Sequence, residues 1–271
     1  MRIEFERVTV ASSAAFVGVG IHSGDECRVV VRPGNEGIIF RSDGARIPAV
    51  PEEVSRTPRS TWLGPIRTVE HLMSALAGAE ITDAEVDVEG EELPILDGGA
   101  MEYLRGIDCA GTKETGRRAA LRVSGTVGLE NGLQQISVAL GDGRWRYEFD
   151  SGDRWPGRQS VEVRLTPARY AREIAPAKTT VFEDEIEAVR ASGLGLGGNE
   201  KNTLVIGQAG YLTESRFPDE APRHKLLDCI GDLALSGVPV RFLNVVAHRT
   251  GHEMNVRAAA RLAELCNWEE T

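Results

Sequence analysis

The stretch RHKLLDCIGD, from Arg223 to Asp232, carries the spacing from which the rest of this chain is interpreted. His224 and Asp228 are four residues apart, so a helix places an imidazole and a carboxylate on one face, within reach of a single metal ion. Asp232 follows on the same face. Nearby apolar residues are expected to pack the buried side of the helix, namely Leu226, Leu227, Ile230, Leu233 and Leu235. The same spacing also occurs in simple surface histidine–aspartate pairs, so the metal interpretation needs support elsewhere.

Composition narrows the class of protein. A chain of 271 residues can bury a real core and form two domains. Its 41% hydrophobic and 27% charged residues are typical of a soluble globular protein, and no window resembles a transmembrane segment. Because the N-terminal sequence MRIEFERVTV lacks a signal-type apolar run, we expect a cytoplasmic location. The net charge of −10 argues against nucleic-acid binding, and four cysteines without a CxxC pair argue against disulfides or a cysteine zinc site.

The hydrophobic pattern predicts two similar halves. In the first half, strands are predicted at residues 2–10, 27–33, 37–40 and 84–89, and helices at 68–81 and 101–107. Thr68 is the predicted N-cap of the first helix, and Gly78 its stop. The polar, glycine-containing residues 111–118 are interpreted as a linker.

In the second half, the predicted strands lie at residues 119–124, 135–140, 145–149, 161–165, 202–207 and 240–247, and helices at 183–192, around 223–235 and at 253–265. Each half places a histidine near a helix start, followed by a strand and another helix. This repetition predicts an α+β fold of two related units facing each other, residues 1–110 and 119–271, with an active site in the crevice between them.

Two glycine-rich stretches are interpreted as turns. GVGIHSG at residues 18–24 carries His22, for which we expect a structural role. GLGLGG at 193–198 lacks the spacing and the strand-before, helix-after context of a dinucleotide-binding loop, so it is interpreted as a helix stop.

The histidine of each half suggests one shared metal site. His71, together with His224 and Asp228, offers two imidazoles and one carboxylate, a set that leaves tetrahedral Zn²⁺ an open position for water. Fe²⁺ accepts the same donors. Glu70, beside a ligand, is placed to act as a general base. His252 follows a glycine in a turn after a strand, where it could reach the cleft or equally lie on the surface.

Six motifs together resemble, in order and spacing, the zinc-dependent UDP-3-O-acyl-N-acetylglucosamine deacetylases of lipid A biosynthesis. The motifs are TVEHLMSALAG (68–78), PILDGGA (94–100), AKTTVF (177–182), GLGLGG (193–198), RHKLLDCIGDLALSG (223–237) and RTGHEMN (249–255). The resemblance extends over residues 17–265. It implies an acylated UDP-amino-sugar substrate and one zinc ion bound by His71, His224 and Asp228, with Glu70 as the base. We expect a monomer.

The resemblance also implies roles for residues that spacing alone does not assign. His252 would be the cationic acid that assists the departing amine, and Asp232 would keep it protonated. Thr179 would donate to the oxyanion, and Lys225 would bind the nucleotide-sugar head group. By the same resemblance, Thr180 would lie beside the substrate, at a position where the family usually has phenylalanine, a difference that leaves acyl specificity open.

The implied fold consists of two two-layer α+β sandwiches with helices between the sheets, and an acyl-chain passage formed by the inserted unit Thr180–Ile206. Ile186 and Val189 would line that passage or form an ordinary core stripe. Two alternatives to this deacetylase remain: a paralogue acting on another acyl-amino sugar or nucleotide sugar, and a non-catalytic zinc protein that binds a lipid-linked sugar. The presence of Glu70, Asp232 and His252 together disfavours the binding protein.

Overall fold

The computed structural model describes residues 2–270, which form 17 strands and six α-helices. The strands of the first half are β1 Arg2–Val10, β2 Ala14–Val19, β3 Glu26–Arg32, β4 Ile38–Ser42, β5 Ala45–Pro48, β6 Val54–Arg56, β7 Trp62–Leu63 and β8 Ala84–Glu89. Its helices are α1 Glu70–Gly78 and α2 Met101–Ala110. Within residues 2–270, no helix is long and apolar enough to cross a membrane.

The second half has more elements. Its strands are β9 Thr112–Val123, β10 Val127–Asn131, β11 Gln134–Leu140, β12 Arg144–Asp150, β13 Arg158–Arg164, β14 Thr179–Phe182, β15 Thr203–Ile206, β16 Leu243–His248 and β17 Cys266–Glu270. Its helices are α3 Pro167–Glu173, α4 Ile186–Ala191, α5 Glu220–Ala234 and α6 His252–Glu264. Short 3-10 turns lie at Pro51–Glu53, Glu183–Glu185 and Val240–Phe242.

Two five-stranded sheets repeat one pattern of pairing. Their strand orders are β2-β3-β8-β4-β5 and β10-β11-β16-β12-β13. In both, the successive pairings are antiparallel, antiparallel, parallel and antiparallel. The order α1, β8, α2 in the first half matches α5, β16, α6 in the second. The prediction of two related α+β units is therefore confirmed.

The helices lie between these sheets. α1 packs against α5, α5 also contacts β12 and β13, and α6 contacts β10 and β11. Every residue of α1 except Ala77 is buried, as expected for a helix covered on all sides. At the crossing, a Cβ atom on Gly231 would lie only 2.1 Å from the backbone oxygen of Glu70. The absence of a side chain at this position therefore allows α5 to approach α1 closely.

The predicted linker at residues 111–118 is wrong, because residues 112–118 lie in β9. This strand is the middle of a third sheet with the order β1-β9-β17. β1 supplies backbone partners along the segment, from Arg2 opposite Arg122 to Val10 opposite Thr112. Most side chains of 112–118 are exposed, so their polarity reflects an exposed strand face. The division into residues 1–110 and 119–271 stays a proposal.

Two features of α1 also differ from expectation. Thr68 does not cap the helix: its φ is +60°, its hydroxyl donates to Glu92 Oε1 at 2.9 Å, and Val69 occupies the N-cap position. Gly78 ends the helix, but the left-handed residue of the turn is Glu80, at φ +59°. Gly78 is needed for packing, since a Cβ there would lie 2.2 Å from Tyr170.

Candidate metal centre and active site

Three buried side chains from α1 and α5 converge. One potential ligand atom from each of His71, His224 and Asp228 lies within 4.8 Å of the others. The Nε2 atoms of His71 and His224 are 3.8 Å and 3.4 Å from the same Oδ1 atom of Asp228. The structure thus brings together the three residues that the sequence proposed as metal ligands.

Hydrogen bonds fix the orientation of both imidazoles. Nδ1 of His71 lies 3.1 Å from the carbonyl oxygen of Gly99, and Nδ1 of His224 lies 3.1 Å from that of Ala177. Because a carbonyl oxygen only accepts, Nδ1 carries the proton in each ring and Nε2 keeps its lone pair. Burial lowers the pKa of both imidazoles, that of His224 to about 3. Both rings are therefore neutral at physiological pH, as metal binding requires.

Asp228 uses its two oxygens differently. Oδ2 accepts a hydrogen bond from Lys225 Nζ at 2.9 Å, whereas Oδ1 is buried without a hydrogen-bond partner. Burial alone would raise the pKa of this carboxyl, but the nearby imidazoles and ammonium lower it well below its usual range. A buried carboxylate oxygen without a donor is costly, and a cation beside it would remove that cost. The donor set therefore fits a divalent metal ion.

Glu70 lies next to this group. Its Oε2 accepts from the backbone N–H of Thr61 at 3.0 Å, and its Oε1 is 3.9 Å from Nε2 of His252. Burial raises the pKa of Glu70 to about 8. A carboxylate with a pKa near neutrality can take a proton and release it again, which suits a general base.

His252 is the first residue of α6 and faces the same space. Its Nδ1 donates to Asp232 Oδ2 at 3.0 Å, and Asn255 Nδ2 donates to the same oxygen at 3.0 Å. Burial alone would lower the pKa of His252, but the carboxylates of Asp232 and Glu70 outweigh it and raise the pKa to about 9. At neutral pH the ring is therefore an imidazolium.

These groups open into a cavity of about 660 Å³. Thr179, Thr180 and Lys225 line this cavity. The metal-ligand candidates and their neighbours also line it, namely His71, His224, Asp228, Glu70 and His252. Thr179 is held by its backbone N–H, which donates to Gly98 O at 2.8 Å. The ammonium of Lys225 donates to the carboxylate of Asp228, so it lies at the edge of the candidate ligand group, and its role in substrate binding stays a prediction.

The inserted unit forms one wall of the cavity. β14 and β15 pair in parallel with α4 between them, which confirms the predicted strand–helix–strand arrangement. Ile186 and Val189 line the cavity, and α4 has no buried residue, so the alternative of a core stripe is wrong. Glu185 links the inserted unit to both halves of the chain. It forms an ion pair with Arg59 of the first half at 3.5 Å and with Arg154 of the second half at 3.0 Å.

Sequence reasoning missed several supporting residues. Thr61 hydrogen-bonds Glu70 and Asp232 but belongs to no recognised motif, and Asn255 hydrogen-bonds Asp232 from within the motif RTGHEMN, which gave it no role. The spacing of Asn255, three residues after His252 on one helix, was the only available signal. His22 also lines the cavity, while its backbone N–H donates to Glu92 Oε1 at 3.0 Å, as a structural turn requires.

Comparison with known proteins gives one family. The family model described as "LpxC: UDP-3-O-acyl N-acetylglycosamine deacetylase" matches residues 7–264. Relatives named UDP-3-O-acyl-N-acetylglucosamine deacetylase include that of Anaeromyxobacter dehalogenans, 40% identical over 91% of this chain and 84% of its own. The relative from Phenylobacterium zucineum is 37% identical over 93% of this chain and 92% of its own. The relative from Oleidesulfovibrio alaskensis is 36% identical over 92% of this chain and 86% of its own.

Proposed function

Because the chain belongs to the family of UDP-3-O-acyl N-acetylglycosamine deacetylases, we propose that it hydrolyses the N-acetyl amide of a UDP-3-O-acylated N-acetylglucosamine and releases acetate in lipid A biosynthesis. One observation supports this function most directly. The buried group of His71, His224 and Asp228 stands beside a carboxylate and an imidazolium, at the base of a cavity large enough for a sugar and part of an acyl chain.

We propose zinc as the metal held by His71, His224 and Asp228. Two neutral imidazoles and one carboxylate form a typical set for catalytic zinc, and Fe²⁺ is the alternative that the same donors accept. When bound, the ion would polarise the amide carbonyl and lower the pKa of water to about 7.

Glu70 and His252 would then divide the proton transfers. Glu70 takes the proton of the attacking water in its ionised form, and the raised pKa that burial gives it makes it a stronger base than an ordinary carboxylate. His252, whose pKa is about 9, holds a proton at Nε2 that it gives to the departing amine nitrogen. Asp232 accepts the Nδ1 proton of His252 in a hydrogen bond and so fixes the ring and favours its charged form. The C–N bond of the amide then breaks, the sugar nitrogen leaves as a neutral amine, and the acetyl group leaves as acetate.

The remaining predicted site residues would bind substrate. Thr179 would donate its hydroxyl to the oxyanion of the tetrahedral intermediate, a contribution of about 3 kcal/mol for one such donor. Lys225 would attract the anionic head group while it keeps Asp228 charged. Thr180 would lie beside the sugar, and the wall carrying Ile186 and Val189 would receive the acyl chain.

The test is acetate release by purified, metal-loaded protein from UDP-3-O-(3-hydroxyacyl)-N-acetylglucosamine, compared with UDP-N-acetylglucosamine. We expect faster release from the acylated sugar. Glu70→Gln should retain the metal and lose turnover about 100-fold or more, as expected for a missing general base. His224→Ala should lose the metal, whereas His248→Ala, at the end of β16 outside the ligand group, should retain both metal and turnover. Equal metal content in the two histidine variants would reject the ligand assignment.

We also propose that the protein is cytoplasmic and monomeric. Cell fractionation and light scattering coupled to size-exclusion chromatography would check them.

A further inference from the structure

Thr61 lies at the junction of the active-site carboxylates. It directly precedes β7 and is 0% exposed. Its backbone N–H donates to Glu70 Oε2 at 3.0 Å, and its hydroxyl donates to Asp232 Oδ1 at 2.5 Å. Its carbonyl oxygen accepts from the backbone N–H of Val69 at 3.2 Å, just before α1 begins. A single residue therefore hydrogen-bonds a carboxylate of α1 and a carboxylate of α5.

The hydrogen bond to Asp232 determines how that carboxylate faces His252. Oδ2 of Asp232 accepts from both His252 Nδ1 and Asn255 Nδ2, and Oδ1 accepts from Thr61. Asp232 itself is 0% exposed, so no bulk water replaces a lost donor. Without the Thr61 hydroxyl, Oδ1 would be a buried, unpaired carboxylate oxygen, and rotation of the carboxylate toward the remaining donors would relieve that cost. The same rotation would turn the imidazole of His252.

We propose that Thr61 is a positioning residue: it fixes the side chains of Glu70 and His252 in the relative orientation that hydrolysis requires. Nε2 of His252 and Oε1 of Glu70 are 3.9 Å apart, and both residues line the cavity. Both groups are oriented through one rigid, buried residue, by its amide on one side and by its hydroxyl through Asp232 on the other. Since misplacement by about 1 Å can cost about 100-fold in rate, this double anchorage matters for turnover more than for binding.

The inference rests on the proposed deacetylase function, and its test uses the metal-loaded protein. Thr61→Val removes the hydroxyl and keeps the shape, whereas Thr61→Ser keeps the hydroxyl. We expect Thr61→Val to lower kcat about 10- to 100-fold, with KM and metal content near wild type, and Thr61→Ser to recover most of the loss. Thr9→Val is the matched control, because Thr9 is also buried and accepts from Gly34 N–H at 2.9 Å outside the cavity.

A second readout does not depend on turnover. The ¹H NMR resonance of the His252 Nδ1 proton, which is donated to Asp232, should shift in Thr61→Val and keep its wild-type position in Thr61→Ser and Thr9→Val. If Thr61→Val does not fold, Thr61→Ala removes the same hydroxyl and takes its place in the comparison.

Three results would overturn the inference: wild-type kcat and proton resonance in the variant without the hydroxyl, equal losses in the serine and valine variants, or loss of metal from Thr61→Val. The proposed function fails separately, if the wild-type protein releases no acetate from the acylated UDP-sugar. If the wild-type protein and Thr61→Val release acetate at the same rate, only the proposed role of Thr61 is rejected.

Discussion

Substituting Gly231 by alanine should separate the two helices that carry the proposed metal ligands. The new Cβ would lie 2.1 Å from the Glu70 backbone oxygen and 2.9 Å from its carbonyl carbon, whereas an ordinary contact begins near 3.4 Å. Relief of this overlap requires α1 and α5 to move apart by about 1 Å, because the obstacle is backbone and no side-chain rotation removes it. Overpacking of this kind costs about 3 kcal/mol, and the better helix propensity of alanine returns about 1 kcal/mol.

The net loss of about 2 kcal/mol corresponds to a melting temperature about 4–8 °C lower. The loss of metal binding and turnover should be larger than this loss of stability suggests. His71 moves with α1 while His224 and Asp228 move with α5, and metal–ligand distances tolerate only about 0.2 Å. We expect weaker metal retention during dialysis against a chelator, together with a fall in acetate release as Glu70 moves with its helix.

The assays are thermal unfolding followed by circular dichroism, metal content by mass spectrometry and acetate release. Gly128→Ala is the matched control, since a Cβ at this position in β10 meets no atom within 4 Å and its backbone is outside the left-handed region. Wild-type stability, metal retention and turnover in Gly231→Ala would refute the view that close helix approach sets the ligand geometry.

Two further predictions concern buried carboxylates. Asp232→Asn removes the charge that raises the pKa of His252, so the imidazolium should lose its proton at lower pH and the alkaline limb of the kcat/KM profile should move to lower pH. An unmoved limb would contradict this role. Glu220→Ala deprives three backbone N–H groups, among them those of Lys178 and Arg216, of their acceptor, and should lower the free energy of unfolding by about 3 kcal/mol. Denaturant unfolding would show it, and a loss below about 1 kcal/mol would be too small for such a cost.

How far the sequence predicts the fold depends on whether a signal is local. Helical spacing placed His224 and Asp228 on one face because both lie on α5, and the apolar residues of that helix are buried as expected. Repetition of the histidine–helix–strand pattern predicted the two units. The segment 111–118 was misassigned because its pairing partner is β1, about a hundred residues earlier, and nothing in its own polar pattern indicates that partner.

The site follows the same rule. Glu70, His71 and His252 were recognisable from motifs, whereas Thr61 was not, because its partner Asp232 lies on a helix at the other end of the chain. Thr68 was misassigned as an N-cap for a related reason. Its hydroxyl has a distant acceptor, Glu92, that outweighs the local capping preference.

The division of the proposed metal ligands between α1 and α5 has a consequence for how the protein is handled. An ion bound there joins two remote parts of the polypeptide as a removable cross-link, and it binds the native state far better than the unfolded chain. At a free ion concentration of 100 times Kd such binding adds about 2.7 kcal/mol to stability. We therefore expect the melting temperature of this protein to depend on the concentration of free metal, and purification in chelating buffers to yield a protein that unfolds more readily than its metal-replete form.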